Sequence, residues 1–177
     1  ARSNLEAGGI SQGGSTITQQ YVKLAIIENV EQTASRKLEE LWYATRLEDE
    51  YGKDFILLQY LNTVYFGHGA HGLKAAADYF FDKRVPDLSV EESALLAGLL
   101  KAPNGYSPIR KPNRAFKRRN QVLFSMVQNG KLSRQSYNKL RRIPIKIRTR
   151  NQLSTHGSAP YFVEHVRQQL QKELGNT

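Results

Sequence analysis

Apolar side chains recur every three or four positions along most of the chain, and glycine and proline separate the periodic stretches. This spacing places the apolar residues on one face of a helix. It predicts helices over residues 15–27, 35–50, 55–62, 73–81 and 113–129. In the second of these, one face comprises Leu38, Leu41, Trp42 and Thr45. The chain is therefore expected to be mainly α-helical.

Side chains at the ends of these stretches are typical of helix starts and stops. The Ser15 hydroxyl can accept a hydrogen bond from the first turn of the first helix. Ser89 and Glu92 have the spacing of a capping box at the start of an apolar helix. Pro112 suits a first helical position, and Gly130 suits the position just after a helix end.

Other segments do not fit a long helix. Residues 66–72 contain three glycines and are expected to form a loop. A short helix is expected after Ser133, and residues 143–148 alternate apolar and basic side chains, which predicts extended backbone. A polar stretch then precedes a last helix over 161–174. The prediction is one mainly α domain over residues 1–148, with short extended segments, followed by a connector over 149–177.

Composition narrows the class of protein. With 177 residues, 40% of them hydrophobic, the chain can bury one sizeable core. It has no cysteine, which excludes disulfides and thiolate metal sites. It also has no run of 18 apolar residues that would predict a transmembrane helix.

Charge is unevenly distributed. Residues 1–100 contain 14 acids and 9 bases, whereas residues 101–150 contain 15 bases and no acid. Such a basic stretch indicates a polyanionic partner, for which nucleic acid, an anionic lipid headgroup and a pyrophosphate are candidates. On charge alone, a basic face that only contacts solvent explains the stretch equally well.

A glycine pair precedes a helix start that is rich in hydroxyl and amide groups, over Gly13 to Gln20 (GGSTITQQ). Free backbone N–H groups and the partial positive charge of a helix N-terminus bind phosphate readily. The candidate donors are Ser15, Thr16, Gln19 and Gln20, with Lys23 one turn further along. An ordinary glycine turn with an N-cap is the alternative, and the spacing of a phosphate-binding P-loop is absent.

Arg36, Lys37 and Glu40 fall within about one turn of the second helix. Arg36 and Glu40 have the spacing of an ordinary surface ion pair. The functional interpretation is that Lys37 binds an anion while Glu40 orients or stabilises charge at a reacting sugar. Glycosyl chemistry normally uses two carboxylates, and here only one lies in a convincing setting.

Two further pairs of polar residues are candidates for a ligand site. His68 and His71 have a ligand-like spacing, but they lie in the glycine-rich loop without a nearby carboxylate pair, so a metal site is not favoured. Arg119 and Asn120 lie in the 113–129 helix, where the arginine can serve a phosphate or solvent.

Taken together, these segments resemble glycosyltransferase family 51, the peptidoglycan glycosyltransferase domain of class A penicillin-binding proteins. The second family motif is matched by GGSTITQQ from Gly13, and the third, R-K-x-x-E, by Arg36, Lys37 and Glu40. The fourth is matched over residues 55–62 (FILLQYLN), and the fifth over 118–123 (RRNQVL). Four motifs occur in the family's order over about 110 residues, and the resemblance covers roughly residues 1–148.

The resemblance implies an enzyme that polymerises lipid II into β-1,4-linked glycan strands and releases undecaprenyl pyrophosphate. Glu40 is implied to be the second active-site glutamate, which holds the donor and its leaving group. Lys37 and Lys23 would bind the pyrophosphate. Donor-site residues implied with them are Ser15, Thr16, Gln19, Gln20, Arg36, Arg119 and Asn120.

The resemblance also implies a lysozyme-like, mainly helical fold and, as in many members, a divalent cation, magnesium or manganese. Implied partners are lipid II, the growing glycan strand, the membrane surface and other cell-wall synthesis proteins, with no nucleic acid. The implied location is the outer face of the bacterial cytoplasmic membrane.

The family's first motif supplies the general-base glutamate and is not found in the twelve residues before Gly13. Glu6, the carboxylate there, lacks the motif's surroundings. We therefore expect the chain to be part of a longer, bifunctional protein, with residues 149–177 as a linker and the start of a transpeptidase domain. Alone it is expected to be nearly inactive, since loss of a general base costs about 10²–10⁴-fold. A non-catalytic lipid II-binding or scaffolding fragment is the alternative; a nucleic-acid-binding module and a lysozyme-like hydrolase are less favoured.

Overall fold

The computed structural model describes residues 15–26 and 34–148 of the chain. The elements of these residues are, in order, α1 (Ile17–Ala25), α2 (Ala34–Glu50), α3 (Lys53–Thr63), β1 (Tyr65–Gly67), β2 (Ala70–His71), α4 (Leu73–Phe81), a 3-10 turn (Val85–Asp87), α5 (Val90–Leu99), α6 (Pro112–Gln128) and α7 (Arg134–Leu140). The prediction of a mainly α-helical fold with short extended segments is confirmed.

The hydrophobic core lies between α3, the β1–β2 hairpin, α4, α5 and α6. Large apolar side chains from three of these elements are almost completely buried there: Phe66, Phe80, Leu95, Leu96 and Leu99. α1 packs on α2 and α3, and Tyr21 of α1 also rests against the core. The core therefore provides a fixed support for α1, which carries the glycine-rich motif.

Most predicted helix limits agree with the structure to within two residues. The Ser89 hydroxyl accepts a hydrogen bond from the Glu92 backbone, and the Glu92 carboxylate accepts one from the Ser89 backbone, so the capping box of α5 is confirmed. α6 begins at Pro112, and Gly130 follows its end with a φ of 66°. α7 begins directly after Ser133, as predicted.

The predicted cap of α1 is wrong by one residue. Thr16, rather than Ser15, is the N-cap, because its hydroxyl accepts from the Gln19 backbone while the Gln19 side chain accepts from the Thr16 backbone. Two orphan donors are satisfied by this reciprocal pair. The Ser15 hydroxyl is thereby left to accept from another helix.

The face of α2 that packs inward is not its apolar one. In the described part of the chain its large apolar residues are exposed: Leu38, Leu41 and Trp42 are 69%, 51% and 55% accessible. Glu40 and Ala44 of the same helix are buried instead. The side of α2 that meets α1 therefore includes a carboxylate.

Residues 66–72, predicted to form a loop, belong largely to the β1–β2 hairpin. Gly67, His68 and Gly69 have φ values of 99°, 54° and 77°, which form its tight turn. Glycine adopts such values without steric cost, which explains why the segment is rich in it. The prediction that it is not helical holds, but its strand pairing was missed.

Residues after α7 run along the core without a regular partner strand. Ile145 and Ile147 pack against the core, and the Arg148 backbone N–H donates to the Phe80 carbonyl at 2.9 Å. Residues 144–148 form neither helix nor strand, and the Ile143 N–H donates to the Leu140 carbonyl in a turn, so the extended backbone predicted over 143–148 stays a prediction. The connector over 149–177 and its helix over 161–174 lie outside the described residues. Within residues 15–26 and 34–148, no helix is both long and apolar enough to cross a bilayer.

Candidate active site

The N-terminus of α1 faces the first half of α2. Its helical cap is closed by Thr16 and Gln19, and the Gln20 side chain donates to the Ser15 carbonyl at 3.4 Å. These contacts fix Ser15 just outside the first turn. α1 has no acidic residue in that turn, so its partial positive charge is not offset by its own side chains.

Lys37 connects this helix start to the carboxylate of Glu40. Its Nζ donates to Ser15 Oγ at 3.0 Å and to Glu40 Oε2 at 2.6 Å. Arg36 Nη2 lies 3.1 Å from Glu40 Oε1, so each carboxylate oxygen meets one cation. The structure therefore brings Ser15, Arg36, Lys37 and Glu40 together in one cluster.

The two cations differ in their access to solvent. Glu40 is 3% exposed and the Arg36 side chain 11%, whereas the Lys37 side chain is 54% exposed. Arg36 thus pairs with the carboxylate in a largely buried position, while about half of the Lys37 side chain stays accessible. An anion that approaches the N-terminus of α1 can therefore contact Lys37 directly.

Glu40 is held in its ionised form. Burial opposes its ionisation, but the hydrogen bond from Lys37 and the charges of Lys37, Arg36 and Lys23 together keep the pKa of Glu40 below its usual value. A carboxylate with a lowered pKa has no proton to give near neutral pH. Glu40 can therefore orient cations or stabilise positive charge, and it is unsuited to act as a general acid.

A third helix also contributes to the cluster. The Tyr60 hydroxyl of α3 donates to Gln20 Oε1 at 3.2 Å, and Tyr60 is 3% exposed. This contact sets the direction of the Gln20 amide, because its oxygen accepts from Tyr60 and its nitrogen donates to the Ser15 carbonyl. Sequence reasoning missed Tyr60, although it lies within the fourth motif.

Lys23 is exposed on α1, and its charge acts on Glu40 from a distance. No hydrogen bond or ion pair joins it to the cluster within the described residues. It can therefore add positive potential around the cluster, and its predicted contact with a pyrophosphate stays a prediction.

Arg119 and Asn120 are engaged elsewhere. Arg119 is 1% exposed, and its guanidinium donates to the Ile143 carbonyl at 2.7 Å and to Asn120 Oδ1 at 2.9 Å. Asn120 donates in turn to the Arg141 carbonyl at 3.1 Å. Within the described residues, the hydrogen bonds of Arg119 all end on Asn120 or on the backbone after α7. The structure therefore does not bring this pair into the Glu40 cluster.

The described residues do not form a cage for a cation. No group of three or more histidine, aspartate or glutamate side chains occurs among them in a metal-binding arrangement. Both oxygens of Glu40 contact Arg36 and Lys37, and His68 Nε2 lies 2.8 Å from Ser107 Oγ. We therefore derive no step through a metal ion, and the predicted magnesium or manganese stays a prediction.

Comparisons with known proteins identify the class. The profile of the transglycosylase family matches residues 1–127, and the chain belongs to this family. Its members are peptidoglycan glycosyltransferases, the class that the four motifs predicted.

The relatives are penicillin-binding proteins. The chain is 39% identical over its full length to penicillin-binding protein 2D of Bacillus subtilis, where it spans 26% of that protein. It is 39% identical over 98% of its length to penicillin-binding protein 1A of Escherichia coli, where it spans 20%. The chain therefore covers about a quarter or less of the length of these relatives.

A solved structure has the same fold. The crystal structure of penicillin-binding protein 1A from Haemophilus influenzae matches 90% of this chain and 20% of that one, with a TM-score of 0.56 at 24% identity. This likeness supports the helical architecture and carries no argument about individual side chains.

Proposed function

We propose that this chain forms the donor-substrate site of a peptidoglycan glycosyltransferase. The substrate of the complete enzyme is lipid II, which it polymerises into β-1,4-linked glycan at the outer face of the cytoplasmic membrane. The observation that carries the proposal is the position of Lys37. Its ammonium group lies between Ser15, at the N-terminus of α1, and the buried Glu40.

The reaction explains why a lysine is needed at this place. The acceptor 4-hydroxyl attacks the anomeric carbon of the donor, the bond from that carbon to the pyrophosphate oxygen breaks, and the hydroxyl proton passes to a base. Negative charge grows on the pyrophosphate as it leaves. A cation and helix N–H groups already in place stabilise that charge without further reorganisation.

Glu40 supports the same step in its ionised form. It holds Lys37 toward Ser15 and keeps Arg36 paired, so that both cations are fixed before substrate arrives. Its negative charge also suits an oxocarbenium-like carbon. The base for the acceptor hydroxyl is not assigned to any residue of this cluster, since both Glu40 oxygens are occupied by cations.

The test is binding and polymerisation of a fluorescent, short-chain lipid II by the 177-residue chain. Fluorescence anisotropy reports binding, and separation of glycan products by length reports polymerisation. Binding that is lost in Lys37→Ala supports the proposal, and polymer formation would extend it to the complete reaction. Binding without polymer would favour the alternative of a lipid II-binding or scaffolding fragment. Absence of binding by the unmodified chain overturns the proposal.

A further inference from the structure

A second contact joins α1 to α2 at a distance from Lys37. Thr18 Oγ1 donates to Glu48 Oε1 at 2.5 Å, and Thr18 is 7% exposed although it is polar. Thr18 belongs to the glycine-rich motif and Glu48 lies in the last turn of α2, and the cap of α1, formed by Thr16 and Gln19, uses neither side chain. A hydroxyl that donates to a carboxylate makes a charge-assisted hydrogen bond, which is stronger than one between neutral groups.

The two contacts between α1 and α2 lie far apart on α2. Lys37 and Glu48 are separated by eleven residues, which corresponds to about 16 Å along a helix axis. Glu40 and Ala44, both buried, lie between them on the same face at helical spacing. α2 therefore holds the first turn of α1 from two directions, with Lys37 on Ser15 and Glu48 on Thr18.

We propose that Thr18 and Glu48 are positioning residues for the proposed pyrophosphate site, which consists of Lys37, Ser15 and the N–H groups at the N-terminus of α1. Their hydrogen bond holds that N-terminus next to Lys37. This inference rests on the proposed function, since it concerns the same site. α1 already packs on α2 and α3, but the contact at Ser15 comes from a lysine side chain that is half exposed. The Thr18–Glu48 hydrogen bond adds a second, less exposed contact within the first turn of α1.

Glu48 also complements the charge of α1. The first turn of α1 contains no acid of its own, and Glu48 supplies a carboxylate beside that turn from the neighbouring helix. The negative charge of Glu48, taken alone, would repel a bound anion, so its removal would strengthen anion binding. If Glu48 instead positions α1, its removal should weaken anion binding, and an experiment can separate the two effects.

The test uses the 177-residue chain and short-chain lipid II, with affinities from isothermal titration calorimetry and stabilities from thermal unfolding. Thr18→Val keeps the shape of the side chain and removes the donor, and we expect roughly tenfold weaker binding, as for loss of one charge-assisted hydrogen bond. Glu48→Ala should weaken binding equally, and the double variant should be no worse than either single one. Thr18→Ser and Glu48→Gln, which keep a donor and an acceptor, should restore most of the affinity. Thr45→Val, which removes a hydroxyl bonded only to the Leu41 carbonyl of its own helix, should bind normally.

Two results of the binding measurements overturn the inference. Normal binding by Thr18→Val with a lowered melting temperature would show a purely structural contact, and tighter binding by Glu48→Gln would show that charge dominates. If the unmodified chain does not bind lipid II, that result overturns the proposed function. A second measurement, which needs no ligand, then tests whether Thr18 and Glu48 position the N-terminus of α1. Nuclear Overhauser contacts between the Ser15 β-protons and the Lys37 ε-protons should be present in the unmodified chain and in Thr45→Val, and lost in Thr18→Val. Their persistence in Thr18→Val would contradict the inference without reference to ligand.

Discussion

The Lys37 side chain is half exposed, yet its Nζ donates to both Ser15 Oγ and Glu40 Oε2. Replacement of Lys37 by alanine should weaken binding of pyrophosphate-bearing lipid roughly 10- to 100-fold, since a charge-assisted contact is lost. Binding of the free disaccharide should change little. Calorimetry with both ligands checks this, and Lys131→Ala, an exposed lysine after α6, is the control. An equal loss for both ligands would contradict the assigned role in pyrophosphate binding.

Glu40 makes the stability of the protein depend on pH. Its pKa is lowered in the folded state because Lys37, Arg36 and Lys23 outweigh the effect of burial. As the pH falls, the unfolded chain therefore takes up a proton before the folded protein does. The free energy of unfolding should decrease once the pH drops below 4.5, the ordinary pKa of glutamate, and continue to decrease until the pH passes the pKa of the folded state. Denaturant unfolding between about pH 3 and pH 7 measures the slope.

Glu40→Gln removes the titrating group and should flatten that slope. Glu92 contributes in the same direction, because Lys83 and the Ser89 backbone bond its carboxylate and lower its pKa despite partial burial. Glu92→Gln is therefore a second variant with a reduced slope. An unchanged slope in Glu40→Gln would show that its carboxylate is not held ionised in the folded protein.

Among the elements, the β1–β2 hairpin and the start of α4 depend most on glycine. Gly72 has a φ of +83°, and a Cβ added there would lie 2.5 Å from the Asn62 carbonyl oxygen. Gly72→Ala should therefore lower the free energy of unfolding by about 3 kcal/mol, from the strained backbone together with the clash. Gly69 has a similar φ of +77° with open space around it, so Gly69→Ala should cost about 1 kcal/mol. Equal losses in denaturant unfolding would contradict the role of the Asn62 contact.

The extent to which these elements follow from sequence differs for physical reasons. Helix limits were predictable where local signals agree, as for Ser89 with Glu92. The cap of α1 was also encoded, since Gln19 stands three residues after Thr16, but the neighbouring Ser15 offered the same hydroxyl. The hairpin could not be recognised because its strands are too short to show alternation.

The cluster itself was predictable only in part. Spacing placed Arg36, Lys37 and Glu40 on one side of α2, but their burial depends on how α1 packs there, which is not a local property. The contact between Tyr60 and Gln20 joins residues forty positions apart, and no local pattern encodes it.

At the scale of the whole molecule, Arg119 joins parts of the chain that the helices alone leave separate. It is buried in α6 and donates to the carbonyls of Ile143 and Arg141, just before the segment in which Arg148 bonds to α4. Burial lowers the pKa of Arg119, and the nearby charge of Glu91 opposes that effect. The arginine therefore ties the segment after α7 to the core, far along the chain from the Glu40 cluster.

This placement yields a prediction that separates structure from substrate binding. Arg119→Lys cannot reproduce the forked contacts to the Ile143 carbonyl and Asn120 Oδ1, although the Arg141 carbonyl keeps its donor from Asn120. The free energy of unfolding should fall by about 2–4 kcal/mol. Arg118→Lys, at a partly exposed neighbour, should cost less than about 1 kcal/mol. Lipid II affinity of the folded protein should be unchanged in both variants, as measured by calorimetry well below the melting temperature. Weaker binding by Arg119→Lys at full stability would instead favour the prediction from sequence that Arg119 and Asn120 support the donor site. The middle of α6 would then have to act on the Glu40 cluster through the core between them.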